Sequence, residues 1–193
     1  FDTPYELGMD WALLCFVLTV GVLEFTIQEF SERIVPAERV AAANRIEKFN
    51  RRFTHFYYIH LLLFLLVSLL SITGTYWGMS FLRQTGLFPF IKVFFNPLTK
   101  FVFWWAAIGY VFLVWGLFNS VFLFALSRPA LVLRSLGIAF LVNLVVGFIL
   151  SRAFRYELAV VGLTVGSLAF MLISGFYARR AFAHLDYYYY SAY

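Results

Sequence analysis

Three long apolar runs, separated only by short basic segments, occupy the second half of the chain and constrain its fold most. They cover Phe101–Leu126, Pro129–Leu150 and Leu158–Tyr177, so each contains about 20 to 26 residues. As helices that rise 1.5 Å per residue they would be ~30 to 39 Å long, and a bilayer core requires about 20 such residues. Because the connections are short, these runs predict three consecutive antiparallel helices that cross a membrane.

The first half of the chain contains two further apolar stretches of similar length. Only 13% of the residues are charged, against roughly 25% in a soluble domain, so a surface facing water could not be covered. An outer-membrane barrel would need alternating polar and apolar residues in ~10-residue segments, and that alternation is absent. We therefore predict an all-α, polytopic membrane protein, a single membrane domain over 1–193. Its five predicted spans are 10–33, 56–78, 101–126, 129–150 and 156–177.

Two connections are too polar or too interrupted to cross a bilayer. Residues 36–53 alternate charges with apolar residues at helical spacing, which predicts an amphipathic helix lying at the membrane interface. Residues 81–100 contain Pro89 and Pro97 and too few residues between them for a span. This second segment is therefore expected to be an aromatic interfacial or re-entrant connection.

The net charge of +5 indicates membrane topology rather than nucleic-acid binding, because Lys and Arg lie in connections or near span ends. Cytoplasmic segments are enriched in Lys and Arg. If the N-terminus lies outside, ten of these residues lie on the inner side and five on the outer side. This difference favours an orientation with the N-terminus outside and the C-terminus inside. The inner residues are Arg33, Arg39, Arg45, Lys48, Arg51, Arg52, Arg128, Arg134, Arg179 and Arg180, and the outer ones are Arg83, Lys92, Lys100, Arg152 and Arg155.

Polar residues inside the spans are the candidate functional groups. Glu24 and Gln28 share one face of the first span, and a carboxylate at that depth should face protein or water and have a partner. These two residues either line a polar pathway or fix helix packing, with Arg134 as the expected partner of Glu24. Asn143, in the fourth span, either contacts a substrate or hydrogen-bonds a neighbouring helix.

Small residues recur at four-residue spacing on single faces of three spans. Such faces let helix backbones approach closely, so they are expected to contact other helices rather than lipid. The predicted packing positions are Gly116 with Ser120, Ala139 with Gly147 (eight residues apart, with Asn143 midway on the same face), and Gly162 with Gly166.

Residues that would indicate an enzyme are missing from the sequence. No metal-binding HExxH, nucleophile GxSxG, phosphate-binding Walker A or redox CxxC motif occurs. His55 and His60 lie about 140° apart around a helix and do not share a face, and His184 lies in the tail. Cys15 is the single cysteine and is expected to pack rather than react. We predict no catalytic residues, metal or other cofactor.

Four segments resemble the membrane subunit of the Pel exopolysaccharide exporters, a family similar to the multidrug/oligosaccharidyl-lipid/polysaccharide flippases. They are Phe1–Gly8, Ser127–Leu133, Asn143–Gly147 and Leu185–Tyr188. The resemblance covers nearly all of the chain as the last five spans of a longer transporter. It implies two helical bundles around a polar cavity, glycan export by alternating access or conduction, and a cytoplasmic glycosyltransferase as partner.

Two functions of different classes follow as expectations. The first is a part of an exopolysaccharide exporter or flippase-like transporter in the bacterial cytoplasmic membrane, with Glu24, Gln28, Arg134 and Asn143 facing the pathway. The alternative is a non-catalytic membrane subunit that anchors or assembles a larger complex. For both functions, the expected partners are the lipid bilayer and other transmembrane helices. Because the chain starts without Met or a secretory signal, it is expected to be a processed product or the C-terminal piece of a longer protein.

Overall fold

A computed structural model describes residues 3–34, 46–85 and 95–183, and five long helices account for nearly all of these residues. Each of the five is long and apolar enough to cross a membrane. The predicted class, an all-α polytopic membrane protein, is confirmed. The helices are α1 (Thr3–Arg33), α2 (Ile46–Thr85), α3 (Pro97–Ala125), α4 (Pro129–Ala153) and α5 (Ala159–Ala183), with a short 3-10 turn, Tyr156–Leu158, before α5.

Helix α2 extends past both ends of its predicted span, which was 56–78. Residues 46–53, expected in the interfacial helix, continue into the span without a break, because no proline interrupts 46–85. At 1.5 Å per residue its 40 residues measure ~60 Å, about twice the hydrocarbon thickness of ~30 Å. The helix must therefore tilt or project beyond the bilayer core. The predicted connection 81–100 is shorter than expected, because residues 81–85 belong to α2 and residues 97–100 to α3. Residues 36–45 and 86–94 of the two predicted connections lie outside the described residues.

Local sequence explains where α3 and α4 begin. The Asn96 side chain accepts a hydrogen bond from the backbone N–H of Leu98 at 3.0 Å, and Pro97 occupies the first turn of α3. Pro129 has the same role at the start of α4. In a first turn the N–H that proline lacks would have no helical partner, so both prolines start a helix without a lost hydrogen bond.

The helices contact one another in the order α4, α5, α3, α1 and α2, with smaller contacts between α3 and α4 and between α2 and α3. Helix α3 is the most buried of the five and α4 the least, because α4 packs mainly against α5. Helix α1 packs through residues at helical spacing on one face. These buried residues are Gly8, Ala12, Cys15, Thr19, Leu23, Thr26 and Phe30.

An aromatic cluster closes the end of the bundle where α1, α3 and α5 finish and α2 and α4 begin. Phe122 is fully buried at its centre, with edge-to-face contacts to Phe30 at 5.5 Å and Phe53 at 5.7 Å between ring centroids. This end carries eight of the described Lys and Arg residues and the opposite end four, so we call it the Arg-rich end. The other rings around Phe122 are Phe56, Tyr57, Phe118 and Phe182.

Candidate functional site

Glu24 and Gln28 lie on the exposed outer face of α1. On a helical wheel Glu24 is about 140° from the centre of the buried stripe that contacts α2 and α3. Of the two expected surroundings, protein or water, the other helices of this chain do not supply the first, because the small residues of α1 occupy the packing face. Gln28 donates a hydrogen bond from Nε2 to Oε1 of Glu32 at 3.1 Å, one turn further along.

The surroundings of Glu24 on this face are apolar. Leu13, Val17 and Phe25 are exposed on the same side of the helix, and the exposed Gly21 lies one turn before Phe25. Glu24 precedes the end of α1 by nine residues, or ~14 Å, so it lies well inside the span. We call Gly21, Glu24, Phe25 and Gln28 the outer face of α1.

Arg134 does not pair with Glu24. It is exposed near the start of α4, and α4 packs against α5 on the far side of α3 from α1. The proposed partnership required α1 and α4 to be neighbours, and the packing order of the helices separates them. The described residues do contain one ion pair on α1, between Arg33 and Glu29 at 2.6 Å.

Asn143 lies at the crossing of α4 and α5 rather than on an open face. A β-carbon added at Gly166 would meet the Asn143 Cβ at 2.5 Å, and one added at Gly162 would meet Gly147. Ala139, the third small residue of this α4 face, is buried, and its carbonyl oxygen lies 3.0 Å from that added Gly166 β-carbon. The two helix backbones therefore approach closely, and a side chain at Gly162 or Gly166 would push them apart.

The small residues predicted on α3 face α5. A β-carbon added at Gly116 would overlap the ring of Phe170, which is itself buried. Ser120 donates its hydroxyl to the carbonyl oxygen of Gly116 at 2.8 Å. The hydroxyl of Ser120 is thus satisfied within its own helix.

A polar network that the sequence reasoning missed joins α2, α3 and α5. The Tyr57 hydroxyl donates to Oδ1 of Asn119 at 2.7 Å. The Asn119 Nδ2 donates to Oγ of Ser174 at 3.1 Å and to the carbonyl oxygen of Met171 at 3.3 Å. Asn119 is fully buried. It is the only amide side chain in the uncharged run 101–126, and this feature of the sequence could have identified it as a candidate functional residue.

A groove of about 250 Å³ opens beside this network, between α2, α3 and α5 at the Arg-rich end. Asn119 lies in its floor, and Arg179 at its rim is exposed, one turn before the end of α5. Aromatic side chains form much of the wall, namely Tyr57, Tyr58, Trp115 and Phe176.

No family model, curated protein or solved structure matches this chain. The resemblance to the Pel exporter subunit therefore stays a prediction from the sequence. The positions of the polar groups in the fold are the basis for assigning a function.

The contacts of His60 and Cys15 are those of residues packed within the helix bundle. His60 is buried, stacks on Phe56 with 3.9 Å between ring centroids, and places Nδ1 2.9 Å from the Phe56 carbonyl oxygen. Cys15 is buried, and its Sγ donates to Oγ1 of Thr75 at 3.3 Å. His55 is exposed, and His184 lies outside the described residues. Within 3–34, 46–85 and 95–183, no three His, Cys, Asp or Glu side chains are grouped as metal ligands would be.

The chain thus presents two surfaces with different chemistry. The outer face of α1 carries one carboxylate and one amide within an apolar surface. The groove combines a cation at the rim with hydroxyl and amide oxygens in the floor. The first can take part in a polar pathway, and the second can bind a small polar group.

Proposed function

We propose that this chain is part of a membrane transporter, an exopolysaccharide exporter or flippase-like protein of the bacterial cytoplasmic membrane. Its N-terminus lies outside and its C-terminus in the cytoplasm. The outer face of α1 lines the glycan pathway, which further helices of a larger bundle complete. A cytoplasmic glycosyltransferase supplies the glycan.

One observation carries this proposal, the exposure of Glu24 within the span. A charged side chain at the centre of a membrane helix costs roughly 3 kcal/mol when it faces lipid. Residues of this kind therefore face protein or a water-filled cavity. Because the packing face of α1 is already filled, Glu24 requires polar surroundings on the side away from α2 and α3. A hydrated pathway provides them, and Gln28 extends that polar surface by one turn.

The test compares Glu24→Gln with Glu6→Gln, which changes an exposed carboxylate in the first turn of α1. Both variants are produced in the native host, and secreted polysaccharide is measured per membrane-embedded chain. We expect Glu24→Gln to lower export about tenfold or more, the effect of losing ~1.4 kcal/mol of binding or coupling. Glu6→Gln should export as the unchanged protein does. Normal export by Glu24→Gln at normal protein levels would overturn the pathway role.

The second candidate function is a non-catalytic subunit that anchors or assembles a larger complex. Gly21 favours it, because a β-carbon added there meets no atom within 4 Å, so another helix could approach the outer face of α1 closely. In that case Glu24→Gln would weaken the complex and reduce the membrane level of the chain. Export per remaining assembled complex would be unchanged.

A further inference from the structure

The groove between α2, α3 and α5 has a polar end and an apolar end. Arg179 is at the rim near the end of α5, and Leu172, which also lines the groove, precedes it by seven residues. Seven residues of helix correspond to ~10 Å. Leu172 and Phe176 are about 60% exposed, so the groove opens sideways on the surface that faces the bilayer. This arrangement places a cation at one end and an apolar wall deeper in the membrane.

The charge of the groove favours an anion. Arg179 is the only charged residue among the described residues that line it, and its guanidinium can donate several hydrogen bonds in a planar fork that matches phosphate. The exposed Arg180 follows it at the same end of α5. Basic pockets between transmembrane helices bind the head groups of anionic lipids. The rim therefore suits a phosphate group.

The polar floor of the groove is hydrogen-bonded within the protein. The hydroxyl hydrogen of Tyr57 is used on Asn119, both Nδ2 hydrogens of Asn119 are used on α5, and Trp115 is a further hydrogen-bond partner of the Tyr57 phenol. Asn119 is fully buried and Tyr57 is 5% exposed, so a ligand is recognised mainly by the Arg179 guanidinium and the apolar wall. The volume of about 250 Å³ is below the ~300–1,000 Å³ of pockets for drug-sized molecules, so it fits one head group and not a glycan strand.

We infer that this groove binds a phospholipid with an anionic head group. The phosphate contacts Arg179, and an acyl chain lies along Leu172. The aromatic wall contacts the glycerol region, where amphipathic rings are favoured in membranes. This site is separate from the outer face of α1 and does not depend on the transported substrate.

Native mass spectrometry of the purified chain in detergent tests the inference by titration with phosphatidylglycerol. Arg179→Gln should weaken phosphatidylglycerol binding about tenfold or more, since it removes a charge-assisted contact. The matched control is Arg180→Gln, which changes the next residue, also exposed but not in the lining. That control should bind within about twofold of the unchanged chain. Equal losses in the two variants would overturn the site.

Three comparison ligands show which part of the lipid the groove recognises. Phosphatidylcholine, which lacks the net negative charge, and diacylglycerol, which lacks the phosphate, should both bind more weakly than phosphatidylglycerol. Glycerol phosphate without acyl chains should bind more weakly as well. If glycerol phosphate binds as tightly as the lipid, the lipid assignment is wrong. If phosphatidylcholine binds as tightly, the anionic head-group assignment is wrong. Thermal unfolding midpoints that match the unchanged chain establish that both Arg variants are folded.

Discussion

Ser127, in the turn between α3 and α4, has a φ of 56° and is the described non-glycine residue with a positive φ. Two hydrogen bonds close the turn, from Ser127 N–H to the Phe124 carbonyl and from Arg128 N–H to the Leu123 carbonyl, each at 2.9 Å. This pattern is the Schellman motif, in which glycine is the preferred residue at the left-handed position. A side chain there has a conformational cost, because its Cβ approaches the following carbonyl.

Ser127→Gly is expected to stabilise the protein. The left-handed conformation costs a residue with a side chain about 1 kcal/mol, and the greater freedom of glycine in the unfolded chain offsets part of that gain. The free energy of unfolding should rise by about 0.5 kcal/mol. The measurement is denaturant unfolding in detergent micelles.

Ser80→Gly is the control for that measurement, since Ser80 lies within α2. Glycine inside a helix is less favourable than serine by about 0.5 kcal/mol, so this change should lower the free energy of unfolding. A shift of the same sign in both variants would contradict the role of the turn.

At the scale of single helices, α3 organises the bundle because it contacts α1 and α5 over most of its length. Gly116 admits the Phe170 ring, and Asn119 links α3 to α2 and α5. Phe122 then fills the centre of the aromatic cluster at the Arg-rich end. Successive turns of α3 therefore carry Gly116 in close contact with α5, Asn119 in hydrogen bonds to α2 and α5, and Phe122 in the aromatic cluster.

Phe122→Ala should destabilise the chain by about 3–5 kcal/mol, because it leaves a cavity inside the aromatic cluster. The matched control is Phe124→Ala on the same helix, since Phe124 is 55% exposed. That control should change the free energy of unfolding by less than about 0.5 kcal/mol. Unfolding in detergent, followed by the loss of helical circular dichroism, compares the two. Similar losses would mean that the cluster contributes little to stability.

At the scale of the whole molecule, the five helices place their connections alternately at two ends with unequal charge. The Arg-rich end carries eight of the twelve described Lys and Arg residues. At the opposite end, the Arg83 guanidinium carbon and the Lys100 Nζ lie over the Phe95 ring, 4.6 and 4.9 Å from its centroid. The charge difference supports a cytoplasmic Arg-rich end in the proposed topology.

Cysteine labelling checks this orientation. In a Cys15→Ser background, Ala153→Cys and Ala130→Cys introduce thiols at exposed positions near opposite ends of α4, ~35 Å apart along the helix. A membrane-impermeant maleimide should label Ala153→Cys in intact cells and Ala130→Cys only after permeabilisation. The reverse pattern would place the Arg-rich end outside.

The local sequence was enough to predict that the helices exist. Where each helix ends and which face it buries could not be predicted without the tertiary packing. The apolar runs and the low charge content predicted five spans because a bilayer requires length and apolarity alone. The start of α3 was predicted four residues too late, at 101, because Pro97 was interpreted as an interruption rather than as the first turn of the helix. The sequence did not indicate that α2 continues through 46–53, because a charged amphipathic turn can lie at an interface or extend a span.

The outer face of α1 shows why the candidate site was only partly predictable. The spacing of Glu24 and Gln28 placed them together on one face, and the structure keeps them together. Whether they face protein or water could not be predicted, because α1 is apolar nearly all round and its composition does not separate a face toward helices from an outer face. The stripe from Gly8 to Thr26 packs because small residues permit close approach, and that choice excludes Glu24.

The amino-acid sequence by itself determined the number of membrane helices, the small-residue faces of α4 and α5, and the unequal charge of the two ends. These properties depend on composition and on the period of the helix. Only the tertiary structure decided that α1 and α4 lie apart, so that Glu24 and Arg134 do not meet, and that Tyr57, Asn119 and Arg179 share one groove. Such contacts join residues far apart in the chain, and in an apolar solvent the order of helix packing depends on shape complementarity rather than on hydrophobicity.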